Sequence, residues 1–348
     1  MAETSERVMD TAAERVPVPE SIVLFYDGFE MQAIDRPYGR LYSDLRGTAR
    51  WLWRTAKRVQ PYTGYYVAFR NLCRSLSALG CEVRINDFAA ARRNPGQVIG
   101  LSGYASVHKA VSLENPAIFG PGYVPPPPEV ERVMAESRIR IMTVPSEWPA
   151  EIYRPVLGER VQPFFVGIDT EAWPDLSGEE KTLDCLIYDK VRFERETREP
   201  LVGTALRAHL DARGRSHQTI RYGHHHTSQF RGLLKRARSL VFVCEHETQG
   251  LAYQEALSSG VPVFAWEEEA LFDPTQRKYA PEGLRVSSVP YFDKRCGVKF
   301  TLEDLGERFD AFWERLEGFA PRDYVTEVLS LEASARRYLS IYRMASGG

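Results

Sequence analysis

Short apolar runs alternate with segments of helical periodicity in two successive series along the chain. The first series opens with the strand-like run Ser21–Glu30, continues with apolar residues at helical spacing from Tyr66 to Leu79, and resumes as a strand after Gly80. A strand, a helix and a strand in this order predict a βαβ unit, which requires a parallel sheet. Further predicted strands of this series are Val98–Gly103, Ala117–Gly120 and Arg140–Ser146.

A second series follows residues 163–180, which are rich in Pro, Gly and Asp and are typical of an interdomain linker. It alternates strand-like and helical segments from Leu183 to Trp266. The sequence therefore predicts an α/β protein with two parallel-sheet domains, residues 21–170 and 171–320, each large enough to bury its own core. Residues 1–20 are predicted to form a flexible arm, and residues 321–348 a single long amphipathic helix.

Composition argues against several classes of protein. The formal net charge of −2 at pH 7 gives no indication of a nucleic-acid partner. No stretch approaches the roughly 20 apolar residues that span a bilayer, and the first residues lack the apolar core of a secretory signal. The five cysteines are scattered, so buried thiols in a reducing cytoplasm are expected rather than disulfides or zinc ligands.

The segment 239–266 carries the most specific pattern of the chain. An apolar strand ending at Val243 leads into the loop Glu245–Gln249, and a helix is predicted to begin near Gly250. Free amides at a helix start bind anions such as a diphosphate, and glycine lets a ligand approach the backbone closely. Glu247 and Glu255 are separated by about 12 Å along a helix. One carboxylate is expected to accept hydrogen bonds from a sugar and the other from the ribose of a nucleotide sugar.

This pattern, E-x7-E followed by A-x-x-x-G-x-P-V, resembles the retaining glycosyltransferases of the large glycogen-synthase-like group. The matching residues are Glu247, Gly250, Leu251, Glu255, Ala256, Gly260, Pro262 and Val263. Residues 163–173 resemble the linker of that family, and Gly64 falls at the glycine of its first loop. The resemblance implies the GT-B fold, in which two Rossmann-like domains face each other across a cleft. It also implies that the last helix, within residues 321–348, crosses back to the N-terminal domain.

In such a fold the N-terminal domain binds the acceptor and the C-terminal domain binds the donor. The resemblance implies a nucleotide sugar, of the UDP or GDP type, as donor substrate, with no separate cofactor and no metal. Glu247 is then a catalytic residue. The donor-binding residues that it implies in the loops and the helix are Gly64, Thr248, Gln249, Gly250, Leu251 and Glu255.

Cations are expected beside a diphosphate, and a basic run follows the strand that ends at Asp189. Family members place an Arg and a Lys here with four residues between them. Lys190 and Arg195 have that spacing with the residue types exchanged, and both are predicted to be catalytic. Arg192 is a rival for the second position and is predicted to bind the donor. The alternative is a solvated charge run that pairs with neighbouring glutamates.

Three consecutive histidines, residues 224–226, do not project to one side well enough to chelate a metal. The resemblance puts this loop beside the nucleobase, where His224 is a predicted donor contact. A plain polar loop is the alternative.

On the acceptor side, family members carry a histidine near the reacting sugar, whereas the comparable strand here ends in Gly103 and Tyr104. Tyr104 and His108 are therefore the predicted acceptor contacts. For His108 the alternative is an ordinary histidine on a helix surface.

Residues 31–63 intervene between the first strand and Gly64, with seven Lys or Arg residues against two Asp, interleaved with Tyr and Trp. This mixture suits an anionic acceptor or a membrane surface, and Arg50 and Trp53 are the predicted acceptor contacts of the segment. The alternative is a helix whose aromatic side chains pack on the N-terminal domain.

The sequence therefore predicts a glycosyltransferase that moves a sugar, with retention, to a glycan, a lipid-linked sugar or a lipopolysaccharide. The leaving diphosphate would be stabilised electrostatically. A cytoplasmic location is expected, with peripheral contact at the inner membrane face through residues 31–63. The alternatives are a non-catalytic GT-B module that binds sugars or nucleotides, and a GT-B nucleotide-sugar epimerase.

Overall fold

The structure, a computed structural model, describes residues 17–57 and 62–347. Most of the predicted N-terminal arm, residues 1–16, and residues 58–61 of the basic segment lie outside these ranges. The first sheet has six parallel strands in the order β2-β1-β3-β4-β5-β6. These strands are β1 (Ser21–Asp27), β2 (Glu82–Ile85), β3 (Ile99–Gly103), β4 (Ala117–Gly122), β5 (Ile139–Val144) and β6 (Val161–Pro163).

Six helices accompany the first sheet in the described part of the chain. They are α1 (Gly39–Ala56), α2 (Gly64–Ala78), α3 (Phe88–Arg93), α4 (Val107–Ala110), α5 (Pro127–Ala135) and α6 (Glu147–Leu157). The central strand β1 is buried on both faces, because Val23 and Phe25 point into one core whereas Leu24 and Tyr26 point into the other. A continuous apolar run is what a parallel strand covered by helices on both sides requires.

The second sheet has five parallel strands in the order β11-β10-β9-β7-β8. Its strands are β7 (Leu183–Asp189), β8 (His217–Arg221), β9 (Ala237–Val243), β10 (Val263–Trp266) and β11 (Gly297–Phe300). Its helices are α7 (Arg195–Ala212), α8 (Thr227–Arg236), α9 (Leu251–Ser258), α10 (Pro274–Arg277) and α11 (Leu305–Glu314). Alternate residues of β9 enter two separate cores, as in β1.

The C-terminal segment is not the single helix that its periodicity predicts. It divides into α12 (Pro321–Tyr324), a π-helical turn at Val325–Leu329 and α13 (Leu331–Ser346). The break occurs because Ser330 is extended and bridges to Ile168 of the linker, while its hydroxyl caps α13 by accepting a bond from the Ala333 amide. Tyr338 and Leu339 of α13 are buried with β1 and α2, so the chain ends on the first domain.

Helix α1 behaves differently from the other long helices. Only Gly39 and Ser43 are buried, and Trp51 and Trp53 remain 41% and 58% exposed. The alternative in which the aromatic side chains of this segment pack on the N-terminal domain is therefore wrong. Among the described residues, no helix combines the length and the apolar character that crossing a membrane would require.

The two domains are joined by a side-chain clamp. The Gln249 amide accepts a hydrogen bond from the Val166 backbone N–H at 2.9 Å and donates to the Val166 carbonyl at 2.8 Å. It also donates to Gln254 of α9 at 3.0 Å. Gln249 is buried, so these bonds satisfy linker groups that water cannot reach.

We expect Gln249→Leu to lower the free energy of unfolding by about 2 kcal/mol or more, because two buried backbone groups of Val166 lose their partner. Urea unfolding followed by circular dichroism measures the loss. Gln229→Leu, at an exposed position of α8, is the matched control and should change stability little. Equal losses in the two variants would show that the clamp does not stabilise the fold.

Candidate functional site

The site forms where two neighbouring parallel strands end. Asp189 of β7 lies opposite Val243 of β9, so the loops that follow both strands start at the same sheet edge. The Lys190 amide donates to the Val243 carbonyl at 2.8 Å, which extends the pairing by one residue. From this position the Lys190 ammonium forms an ion pair with Glu247, and the two side chains are only 12% and 6% exposed.

Glu247 is held by its backbone and by its carboxylate. Its amide donates to the Ser287 carbonyl at 2.9 Å, and its own carbonyl accepts from the indole N–H of Trp148 at 2.7 Å. Burial acts to raise the pKa of Glu247, but the positive charges of Lys190 and Arg192 outweigh it and hold the pKa below its usual value. The carboxylate is therefore ionised at neutral pH.

Arg192 and Arg195 point in different directions. Glu245 accepts hydrogen bonds from the amides of residues 192 and 193 at 2.9 and 2.8 Å, which fixes the loop after β7. The Arg192 guanidinium donates to the His246 carbonyl at 2.6 Å and interacts electrostatically with Glu247. Arg195 instead forms a forked pair with Asp189 and donates to the Val191 carbonyl at 2.9 Å.

The structure thus gathers Lys190, Arg192 and Glu247 and leaves Arg195 outside the cluster. Arg195 has the spacing predicted for the second catalytic cation, but its side chain pairs with Asp189, the last residue of β7.

The N-terminus of α9 is open. Gly250 has a φ of 86°, and no side chain caps the first turn. A Cβ atom at Gly250 would lie 2.2 Å from the Tyr253 ring, so both the backbone conformation and the space require glycine. Thr248 and Leu251 flank it and are half-buried. Because the Gln249 side chain is engaged with the linker, Gln249 offers only its backbone to a ligand.

Glu255 lies one turn further along α9 and is half-buried. No described residue forms a hydrogen bond or an ion pair with its carboxylate. Burial raises the pKa of Glu255 to about 8, although Arg231 and Lys190 oppose the rise. An unpaired carboxyl group at the base of an open helix terminus has capacity to accept hydrogen bonds from a ligand.

The three histidines separate in the structure. His224 is exposed, whereas His225 is buried and lies with its Nε2 atom 3.1 Å from the Tyr188 hydroxyl. Burial lowers the pKa of His225. Within residues 17–57 and 62–347, no group of three or more His, Cys, Asp and Glu side chains is arranged to hold a metal ion.

Two residues of this site were missed by the sequence analysis. His246 is 2% exposed, stacks on Phe193 with ring centroids 5.3 Å apart, and accepts a hydrogen bond from the Asp273 amide at 3.3 Å. Burial, aided by Arg192, lowers the pKa of His246 to about 4, so its imidazole is neutral. The Tyr222 ring lies 4.4 Å from the Lys190 ammonium. In the sequence, the one feature that could have indicated a site role for His246 is its position between Glu245 and Glu247.

The predicted contacts of the N-terminal domain are spread over several loops. Gly64 is the exposed first residue of α2, and a Cβ atom there would meet nothing within 4 Å. Tyr104 follows β3 and is 40% exposed. Burial raises the pKa of Tyr65, and the electrostatic effects of Tyr123, Tyr104 and Tyr222 add to the rise.

His108, by contrast, has a local contact. It lies in α4, half-buried, with its Nδ1 atom 2.6 Å from the Ala105 carbonyl oxygen. Arg50 and Trp53 belong to α1. The Arg50 guanidinium lies 4.2 Å from the Phe29 ring centroid, while Trp53 extends into solvent.

The raised pKa of Glu255 has a consequence for stability. Between the pKa of an exposed glutamate, about 4.3, and the folded value of about 8, the native chain binds a proton that the unfolded chain has released. This contribution to stability is complete at low pH and is lost as the pH rises through 8.

We therefore expect Glu255→Gln to raise the melting temperature relative to the parent increasingly between about pH 5 and about pH 8.5. Differential scanning calorimetry of the ligand-free proteins measures the difference. Glu131→Gln, at an exposed position of α5, should give a difference that does not vary with pH. A pH-independent difference for Glu255→Gln would contradict the assigned pKa.

No family model and no curated protein matches the chain. Solved structures do match. AviGT4, a glycosyltransferase involved in avilamycin A biosynthesis, is 13% identical over 95% of this chain and 99% of its own, with a TM-score of 0.53. Sucrose-phosphate synthase from Thermosynechococcus elongatus is 12% identical over 94% of this chain and 99% of its own, with a TM-score of 0.51. The catalytic domain of starch synthase IV from Arabidopsis thaliana, bound to ADP and acarbose, is 12% identical over 86% of this chain and 81% of its own, with a TM-score of 0.50.

At identities this low the likeness concerns the fold alone. The two parallel sheets of six and five strands have the GT-B arrangement of these structures. The fold class predicted from the sequence, α/β with two Rossmann-like domains, is confirmed.

Proposed function

We propose that the chain is a glycosyltransferase that moves a sugar from a nucleotide sugar, of the UDP or GDP type, to an acceptor. The observation that carries the proposal is the grouping, at one sheet edge, of the ionised Glu247, the cations Lys190 and Arg192, and the open terminus of α9. The fold neighbours support it, since they include glycosyltransferases and a starch synthase with bound ADP.

The diphosphate of the donor would lie against the first amides of α9 and the charges of Lys190 and Arg192. Glu255, without a protein partner, would accept hydrogen bonds from the ribose hydroxyls, and Glu247 from hydroxyls of the transferred sugar. His224 would lie near the base. A donor would separate the Lys190–Glu247 pair without leaving either charge unpaired, because its diphosphate supplies a new partner for Lys190 and its sugar supplies one for Glu247.

In the reaction the bond between the anomeric carbon and the diphosphate oxygen breaks, and negative charge develops on the leaving group. Lys190, Arg192 and the helix amides would stabilise that charge, and Glu247 the oxocarbenium-like sugar. We assign retention of configuration to the reaction, with the acceptor proton passing to the leaving diphosphate. The proposal assigns the positive charge to protein groups and requires no metal.

The acceptor would approach from the N-terminal domain, across the exposed rings of Tyr104 and Tyr65. A glycan, a lipid-linked sugar or a lipopolysaccharide is the class of acceptor that we propose. The basic and aromatic segment 31–63, with Arg50 and Trp53, would receive such an acceptor or the membrane that holds it. His108 would have at most an indirect part, since its ring contacts its own turn.

Nucleotide binding tests the donor site. We expect one of UDP, GDP and ADP to raise the melting temperature, since a ligand at a hundred times its Kd adds about 2.7 kcal/mol. Glu255→Gln should weaken binding of that nucleotide by on the order of tenfold, as expected for loss of one carboxyl hydrogen-bond partner of the ribose, while Glu131→Gln binds normally. Isothermal titration calorimetry gives the affinities. No response to any nucleotide would contradict the donor assignment and favour a non-catalytic module.

Transfer tests the roles of the charged residues. We expect Glu247→Gln to lower the rate of sugar transfer by about 10²- to 10³-fold with a smaller loss of nucleotide affinity. Arg192→Ala should lower the rate more than Arg195→Ala, because only Arg192 lies with Glu247 and Lys190. The measurement is release of nucleoside diphosphate in the presence of candidate glycan and lipid-linked acceptors. A greater loss for Arg195→Ala would reverse the assignment, and acceptor-independent conversion of the donor would indicate an epimerase.

A further inference from the structure

Helix α1 is attached to the protein by one narrow face. A Cβ atom at Gly39 would lie 2.6 Å from the Ile34 carbonyl oxygen, and one at Gly47 would lie 2.5 Å from the Glu30 carbonyl oxygen. Between them, the Ser43 hydroxyl accepts a hydrogen bond from the Gln32 amide at 2.9 Å. Small residues at this spacing bring the helix backbone close to the domain and fix the orientation of the helix about its axis.

The face away from the domain is apolar and exposed. At about 100° per residue, Leu41, Leu45 and Leu52 fall within about 40° of one another, and aromatic rings extend this stripe to about 120°. The side chains of the stripe and their exposures are Leu41 57%, Tyr42 59%, Leu45 64%, Leu52 56% and Trp53 58%, and Tyr38, which directly precedes the helix, is 83% exposed. A contiguous exposed group of this size on one helix marks an interaction surface.

Positive charge borders the stripe. The segment from Gly39 to Lys57 holds five basic residues and one acidic residue. Arg46 and Lys57 are next to the stripe on the side of Trp53. Among the described residues, no carboxylate forms an ion pair with Arg40, Arg46 or Lys57. The charge is therefore available to an external anion.

We propose that α1 lies in the interface of an anionic lipid bilayer, with its leucine and aromatic face among the upper acyl chains and its basic side chains at the phosphates. An amphipathic helix with Trp and Leu on one face and Arg or Lys on its border has the chemistry of such a surface. Each basic residue near an anionic leaflet adds to the attraction, and Tyr and Trp favour the boundary between apolar and wet regions.

A second copy of this chain is a poorer occupant. A symmetric contact through the stripe would bring two α1 helices together, each with an excess of basic residues along its border, and their charges would repel. A bilayer with anionic headgroups offers both the apolar volume and the opposite charge. Lipid binding by α1 deepens the proposed function, in which residues 31–63 receive an acceptor or the membrane that holds it. The two can fail separately, because vesicle binding can be absent while nucleotide binding and sugar transfer are present.

The test is flotation of the full-length chain with vesicles of phosphatidylcholine alone or mixed with phosphatidylglycerol. We expect binding to the mixed vesicles that exceeds binding to phosphatidylcholine by on the order of tenfold and weakens with salt. The variant Leu45→Glu with Trp53→Ala should lose the binding, and Arg46→Glu with Lys57→Glu should lose the preference for phosphatidylglycerol. These side chains are exposed, so the melting temperature should change little.

Leu201→Glu and Arg343→Glu are the matched controls. Leu201 is 60% exposed in α7, and Arg343 is exposed in α13, so neither belongs to α1. Both controls should bind vesicles as the parent does. Equal binding by parent and α1 variants, or no binding to either vesicle, would overturn the proposal. A dimer of the parent that Leu45→Glu disrupts, without vesicle binding, would assign the face to a second copy and would also overturn it.

Discussion

The ion pair between Lys190 and Glu247 is the interaction on which the site depends. Each partner follows a different strand of the second sheet, and only the parallel pairing of β7 with β9 brings them to the same edge. Both side chains are almost completely buried, so removing either one would leave an uncompensated charge away from water. Pairing of the two strands therefore determines where the charges of the site lie, and Glu245 extends that control to Arg192 through the backbone of residues 192 and 193.

Much of the fold was predictable because its causes are local. The unbroken apolar run of β1 indicates a strand covered on both faces, and its alternate residues do enter two cores. The start of α9 was predictable for the same reason, since an apolar strand and a polar loop lead to Gly250, and the helix begins at the next residue, Leu251. The alternation of such strands with helices predicted two parallel sheets, and the resemblance of the segment from Glu247 to Val263 implied the GT-B fold; both are confirmed.

The parts that sequence did not predict depend on partners far away in the chain. Ser330 interrupts a good helical pattern because Ile168 pairs with it, and periodicity carries no signal of that bridge. Arg195 has the expected spacing from Lys190 but is taken by Asp189. Composition could not predict whether the aromatic residues of α1 are covered. Their exposure depends on how the small residues Gly39, Ser43 and Gly47 pack against the backbone that they face.

The loop from Glu245 to Gly250 is held by contacts from both domains, and this links the two halves of the proposed reaction. Trp148 of α6 donates to the Glu247 carbonyl, and the Gln249 amide is bonded to Val166 of the linker. These contacts use the backbone of Glu247 and the side chain of Gln249, and they leave the Glu247 carboxylate and the first amides of α9 directed to the site. A shift of the N-terminal domain would therefore move the very loop that carries Glu247. Because the acceptor is proposed to bind that domain and Glu247 is proposed to be catalytic, the position of the acceptor and the position of the Glu247 carboxylate would be mechanically coupled.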